Sequence, residues 1–332
     1  MKVLRLHASG DLRQHDEPVP ELAEGEARLR VTVVGVCGSD LHWFGESGIG
    51  DARLEQPLVL GHEFAAVREE DGLRVAVDPA IPCGECEFCN QGHPNLCPGV
   101  RFAGHGRIDG ALREYMSWPA ELLYPLPDTL SDADGAMLEP LGVALHAADL
   151  GHLRSGMRVG VFGCGPIGLL IIQLARLSGA VQIIATDPLA HRLDAAGAYG
   201  ATHLIPADYG AEAPEVWETA ARRGVDVAFE VAGENAAVET AVYAAKPGGQ
   251  VVLVGIPADD HTGFSAATAR RKGLTLRLCR RMKHTYPRAL ALVERGLVDV
   301  RSLVTHRYPL AQAQQAFESA ERRDGIKVIL EI

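Results

Sequence analysis

The sequence predicts a two-domain α/β protein, an irregular and mostly β domain followed by a doubly wound parallel sheet, and three observations predict it. At 332 residues the chain exceeds what one hydrophobic core usually serves. Up to about residue 140 its apolar segments are short, β-rich and bounded by Gly and Pro. From about residue 143, apolar strands alternate with Ala/Leu-rich helical patterns of roughly 10 to 15 residues, as in βαβ units whose sheet is buried on both faces.

In order, EARLRVTVVGVCG, LRVAVDPA and EYMSWPAELLYPLP read as strands of the first domain. The second domain opens with the strand RVGVFGCG and the helix PIGLLIIQLARLSG. It continues with AVQIIATD, PLAHRLDAAGAYG, ATHLIPA, VDVAFEVAG, NAAVETAVYAAKPGG and QVVLVGI. After about residue 275 come a basic stretch, a helix YPRALALVERG, a strand VTHRYPL, a helix AQAQQAFESAERR and a closing strand KVILEI, which could add an edge strand. Patterning alone does not dock this tail.

With 47 % hydrophobic and 23 % charged residues the composition is ordinary and globular, and a net charge of −11 argues against a nucleic-acid or anionic-membrane surface. The opening MKVLRLHASGDLRQHDEP lacks the apolar core of a signal peptide. The most apolar stretch, VGVFGCGPIGLLIIQLA, is broken by glycines and a proline, so it reads as strand, turn and helix. Seven cysteines with no secretory signal point to the reducing cytoplasm.

Cys83, Cys86, Cys89 and Cys97 form a Cys-x2-Cys-x2-Cys-x7-Cys run in a loop-like stretch, and four thiolates so close together read as one closed, tetrahedral Zn2+ site. Two disulfides or four free thiols are the alternatives, but cysteines this closely spaced make poor staples. Four thiolates leave no position for substrate, so this metal serves local folding and the chemistry lies elsewhere.

Gly163-Cys164-Gly165-Pro166-Ile167-Gly168 follows the strand RVGVF and opens a helix, the context that makes a G-x-G-x-x-G pattern a dinucleotide site. Gly163 makes the tight turn, Gly165 lets a pyrophosphate approach the backbone and Gly168 allows close helix–strand packing, while the helix N-terminus offers free N–H groups. Asp187, 19 residues after Gly168 at the end of the next strand, is placed to accept the ribose hydroxyls of NAD and to repel the 2′-phosphate of NADP. Arg192, one helical turn further, could soften that preference; a solvated helix arginine is the commonplace alternative.

In the first domain, Cys37 in VCGSDLH and His62-Glu63 in PLVLGHE supply a thiolate, an imidazole and a carboxylate that together could hold Zn2+ with a fourth position open. Singly, each has a commonplace reading, a core thiol or a surface pair.

CGSDLH, PLVLGHE, the four-cysteine segment, GCGPIG and Glu139-Pro140-Leu141 occur in the order expected of the zinc-dependent medium-chain dehydrogenase family, which the chain resembles over essentially its whole length. LEPLGVALHA and WFGESGIGDARLEQPLVLGHE look most like its sorbitol and polyol dehydrogenase branch. The resemblance implies a GroES-like, mostly-β catalytic domain of residues 1–142 and 276–332 with a zinc-binding lobe at 80–100. A Rossmann domain of residues 143–275 is then inserted between the two parts. Also implied are two Zn2+ per chain and NAD, with Cys37, His62 and Glu63 as catalytic zinc ligands and Glu139 close to that zinc. A homo-oligomer, tetramer or dimer, belongs to the same set of expectations, as does a small-molecule alcohol or polyol substrate.

The reaction expected is the reversible oxidation of a secondary hydroxyl of a sorbitol- or xylitol-like polyol to a ketone, zinc lowering the pKa of the hydroxyl and NAD taking the hydride. Ser39 is placed to take the proton and His42 to pass it on, although a turn hydroxyl and a solvent-facing imidazole are their ordinary readings. Trp43, Phe44, Phe102 and Arg281 are expected around the substrate, Arg281 by resemblance around RRMKHTYP. The alternatives are a related dehydrogenase for a sugar acid, a 2,3-diol, L-threonine or an aminocyclitol, and a non-catalytic nucleotide-binding protein of the same fold. The last would lack a zinc ligand, and every candidate ligand is present here.

Overall fold

Strand Glu26–Gly35 organises the first part of the fold, and its sequence says why: Ala27, Leu29, Val31 and Val33 alternate with polar residues and are buried. In the computed structural model, which describes residues 1–332, this strand pairs antiparallel with Glu63–Arg68 on one side and with Lys327–Glu331 on the other. Arg74–Val77 and Leu123–Pro125 extend the sheet beyond Glu63–Arg68, and Tyr115–Pro119 pairs with the start of Glu26–Gly35. Leu29, Phe64, Met116, Trp43, Phe44 and Phe317 contribute to the core beneath it.

The closing strand is therefore internal, not an edge. Lys327, Val328, Ile329 and Leu330 are all buried, a continuous run that suits a strand paired on both sides, while Val304–Pro309, which alternates half-buried and exposed, takes the edge beside it. A hairpin of Lys2–Ala8 and Asp11–Asp16 lies outside this sheet.

The chain divides into two units, Met1–Gly142 with Lys283–Ile332, and Val143–Met282. The second unit is built on six parallel strands: Arg158–Phe162, Gln182–Asp187, His203–Pro206, Val225–Glu230, Ala245–Leu253 and Thr275–Leu278. Numbered 1 to 6 along the chain, they lie in the order 3-2-1-4-5-6. That is the order of a doubly wound dinucleotide-binding sheet, whose crevice opens at the carboxyl ends of strands 1 and 4. The unit reaches Met282 because Thr275–Leu278 completes its sheet. No helix of the chain is long and apolar enough to cross a membrane.

Candidate active site

Strand register assembles the metal-ligating candidates of the first unit. Gly35 lies opposite Glu63 in the antiparallel pair, so the chain leaving one strand, Val36-Cys37, runs beside the chain entering the other, His62-Glu63. The ligand atoms of Cys37, His62 and Glu63 all lie within 4.8 Å of one another. His62 is 5 % and Glu63 1 % exposed. A thiolate, an imidazole and a carboxylate converging in a buried place fit zinc held by three protein ligands.

A second layer of charge surrounds them. Asp40 Oδ2 accepts the Cys37 N–H at 3.0 Å, and Oδ1 accepts the Gly61 N–H at 3.2 Å and stands 3.4 Å from His62 Nδ1. A carboxylate on Nδ1 fixes the ring and leaves Nε2 for a metal. Burial opposes charge on His62, yet Asp40 and Cys37 outweigh it and raise the imidazole well above its ordinary value. Lys327, also fully buried, donates to Val36 O at 2.9 Å and pairs with Glu63. Burial opposes its charge too, but Glu63 and Cys37 raise its pKa. Glu139, in the first turn of helix Leu138–Leu150, is 4 % exposed. Burial, opposed by His62 and reinforced by Glu63, pushes it up to about 8. So many acidic groups in one dry place call for a further cation, which is the requirement a zinc ion meets.

Helix Gly38–Glu46 has two faces, and they separate the residues that follow Cys37. Asp40, Trp43 and Phe44, spaced three and four apart, are its buried face. Ser39 and His42, also three apart, lie on the half-exposed side, Ser39 Oγ 3.5 Å from His62 Nε2 and His42 Nδ1 3.2 Å from Glu46 Oε1. Trp43 and Phe44 are packed into the core, 1 % and 3 % exposed, with Trp43 edge-on to His105 and Phe44 against Phe317. Phe102 does border the cluster, its ring centroid 5.2 Å from that of His62.

The sulfur atoms of Cys83, Cys86, Cys89 and Cys97 also converge within 4.8 Å, and none of these cysteines is in a disulfide. Backbone N–H groups already point at them, Cys86 N at Cys83 Sγ and Cys83 N at Cys97 Sγ, each at 3.4 Å. Hydrogen bonds from the Glu85 and Cys86 backbone lower the Cys83 thiol to about 7, while burial and the neighbouring thiols push Cys89 up to about 12, as expected of sulfurs crowded together without a cation between them. Lys283 ties the lobe down through His93 Nδ1 at 2.9 Å.

In the second unit, strand Arg158–Phe162 ends at Gly163, and Gly165 is the N-cap of helix Pro166–Leu177. Gly163 has φ +109, and a Cβ there would sit 2.8 Å from Ala232 N. At Gly168 a Cβ would overlap Gly163 O, whereas above Gly165 the nearest atom, an Arg192 guanidinium nitrogen, is 3.8 Å away. Arg192 is therefore half-buried over the turn and not a solvated surface arginine. Asp187 is buried, Oδ2 accepting the Cys164 N–H at 2.8 Å and Oδ1 the Leu189 N–H at 2.9 Å. Each oxygen keeps a further lone pair for a ligand hydroxyl.

Residues 23–128 match the alcohol dehydrogenase GroES-like domain and residues 166–295 the zinc-binding dehydrogenase family. Sorbitol dehydrogenase of Bacillus subtilis is 36 % identical over 329 residues, 96 % of this chain and 93 % of its own. The chain belongs to the zinc-dependent medium-chain dehydrogenase family. Sorbitol dehydrogenase of Gallus gallus is 35 % identical over 98 % of this chain and 94 % of its own. The structure of an Escherichia coli oxidoreductase/dehydrogenase of unknown specificity superposes with a TM-score of 0.93 at 31 % identity, covering 100 % of this chain and 99 % of that one. As a member of this family the protein is a zinc-dependent alcohol/polyol dehydrogenase with a small-molecule alcohol as substrate.

Within this medium-chain dehydrogenase, two charged residues beside the cluster escape a reading by motif. Asp40 has a local signal, an acid three residues after Cys37 that accepts the Cys37 N–H as in a helix capping box. Lys327 has only a weak one, a cation opening an otherwise apolar strand. Arg281 belongs to the second unit and has φ 53, a left-handed conformation uncommon for a long side chain.

Proposed function

We propose that the chain oxidises a secondary hydroxyl of a polyol such as sorbitol or xylitol to the ketone, reversibly, with NAD as acceptor. The observation that carries this reading is the buried convergence of Cys37, His62 and Glu63, with Glu139 close enough to feel their charge. Those three residues would hold zinc, which when bound lowers the pKa of a substrate hydroxyl, and NAD when bound accepts the hydride.

The chain's own residues do the rest. Ser39, close to His62, takes the proton leaving the hydroxyl, and His42 on the same helix face hands it towards solvent with Glu46 steadying its ring. Phe102 shields the His62 ring from water. With the charge of a bound cation beside it bringing its pKa down, Glu139 accepts a hydrogen bond from substrate, and a site with two carboxylates offers extra hydroxyls partners that an apolar pocket would not. Asp187 accepts the ribose hydroxyls of NAD while it braces Cys164, and its charge repels a 2′-phosphate.

A substrate panel followed by NADH absorbance tests the reading. Because polar groups left unpaired penalise a smaller alcohol, kcat/KM for sorbitol or xylitol should exceed that for 2-propanol by at least about 100-fold. If simple alcohols match the polyols, the substrate assignment fails and the zinc dehydrogenase stands; equal kcat/KM with NADP removes the role given to Asp187.

A further inference from the structure

Lys327 reaches the metal cluster because of a missing side chain. Glu63 and Lys327 sit on the two strands that flank Glu26–Gly35, where Gly35 pairs with Glu63 on one side and with Ile329 on the other. Strands two apart in a sheet are separated by roughly 10 Å, so the two side chains meet only by crossing over the strand between them. They cross at Gly35. A Cβ there would overlap Glu63 Oε2 and come within 3.1 Å of Lys327 Cε. The Lys327 ammonium then pairs with Glu63 Oε2 and donates to Val36 O at 2.9 Å, the carbonyl just before Cys37.

We propose that Lys327 is a positioning residue that keeps Glu63 a one-oxygen ligand: it occupies Oε2, leaves Oε1 for zinc and so keeps a coordination position open for substrate. The inference rests on Cys37, His62 and Glu63 being the zinc ligands. A carboxylate can bind a cation through one oxygen or both. A zinc site with three protein ligands works only while its fourth position is free, and a chelating Glu63 would fill it. The second bond, to Val36 O, lets one ammonium fix the two segments that bring Cys37 and Glu63 together.

Cobalt(II) reports this directly, because its visible absorption is much stronger in four-coordinate than in five- or six-coordinate geometry. Enzyme that keeps its four-cysteine zinc is loaded with Co2+ at the second site. Lys327→Met should bind the same amount of Co2+ but lose the intense four-coordinate bands, and its zinc form should fall roughly 10- to 100-fold in kcat with KM for NAD unchanged. Lys327→Arg, which keeps a donor for Oε2, should retain the bands. Intense bands unchanged in Lys327→Met, whatever its activity, overturn the inference. Should Lys327→Met not fold, a crystal structure of the zinc-loaded wild type decides: Oε1 alone on zinc with Lys327 on Oε2 supports it, and both oxygens on zinc overturn it. A wild type that takes up no Co2+ beyond the four-cysteine site fails differently, removing the ligand assignment and this inference with it.

Discussion

Asp78 follows strand Arg74–Val77, and its side chain accepts the Ala80 N–H at 3.0 Å. Burial pushes its pKa up to about 6, with that hydrogen bond opposing. A folded-state pKa above the unfolded one means that the native protein binds the proton more tightly. The stability this contributes is full below about pH 4 and is lost as pH rises through about 6. Asn at this position keeps an acceptor without the charge. Asp78→Asn should therefore be more stable than the wild type at pH 7 by about 1–2 kcal/mol, a figure discounted for the partial exposure of the residue. The gap should fall to roughly half by pH 5. Tyr124, Tyr286 and Glu139 share its surroundings and are all raised, Glu139 to about 8, but they are common to both proteins, so their own pH dependence cancels in the difference. Urea midpoints at the two pH values measure the gap, and an equal gap at both rules out Asp78 as its source. The same scale shows what the sequence could carry. The cluster of Cys37, His62 and Glu63 is legible because ligand chemistry is written in residue type. The place of Lys327 against Glu63 is not, since it depends on two strand registers meeting at Gly35. Adjacency in sequence does not give Trp43 and Phe44 the direction of Ser39 and His42, since the helix turns them to its buried face.

At the scale of elements, the strand–turn–helix from Arg158 to Leu177 is the most legible piece, because its glycines are demanded by backbone contact and not by ligand alone. Helix Pro166–Leu177 can approach Gly163 only if residue 168 has no Cβ. Gly168→Ala forces the helix away from the turn, at a cost in the range of core overpacking, about 1–3 kcal/mol. The N–H groups at the helix start move with it. Binding of NADH, measured by its fluorescence, should weaken roughly 10- to 100-fold, as that cost converts. Zinc content should stay unchanged, because all the metal-ligating residues belong to the other unit. Undiminished NADH affinity would mean that the turn does not hold the dinucleotide. Less legible is the tail. The run Lys327–Leu330 has the apolar continuity of an internal strand, but nothing local says which strand it joins, and its partner Glu26–Gly35 lies at the opposite end of the chain. Helix Gly38–Glu46 is hidden for another reason: it is short, contains two glycines and starts at a cysteine.

At the scale of the whole molecule, the chain carries two clusters of metal-ligating residues that differ in kind, and the difference predicts how the protein loses metal. The four-cysteine cluster is the more exposed, with Cys83 at the surface, whereas His62 and Glu63 are buried. Exposure alone would have a chelator strip the cysteines first. Ligand number argues the reverse, because four thiolates complete a tetrahedron and leave no vacant position for a competing ligand, while Cys37, His62 and Glu63 leave one. Lys283 and the N–H groups aimed at the sulfurs also keep the lobe in its binding conformation. Gently purified protein should hold about two zinc ions per chain, and a mild chelator should remove one, abolishing turnover while circular dichroism is unchanged. Cys97→Ser attacks the other cluster. Three remaining thiolates cannot close the tetrahedron, so residues 80–100 should become the first site of proteolysis while the second metal is still bound. Zinc analysis alongside activity separates the outcomes: if the chelated protein stays active while its cysteines become titratable, the order of release is reversed and ligand number does not govern it.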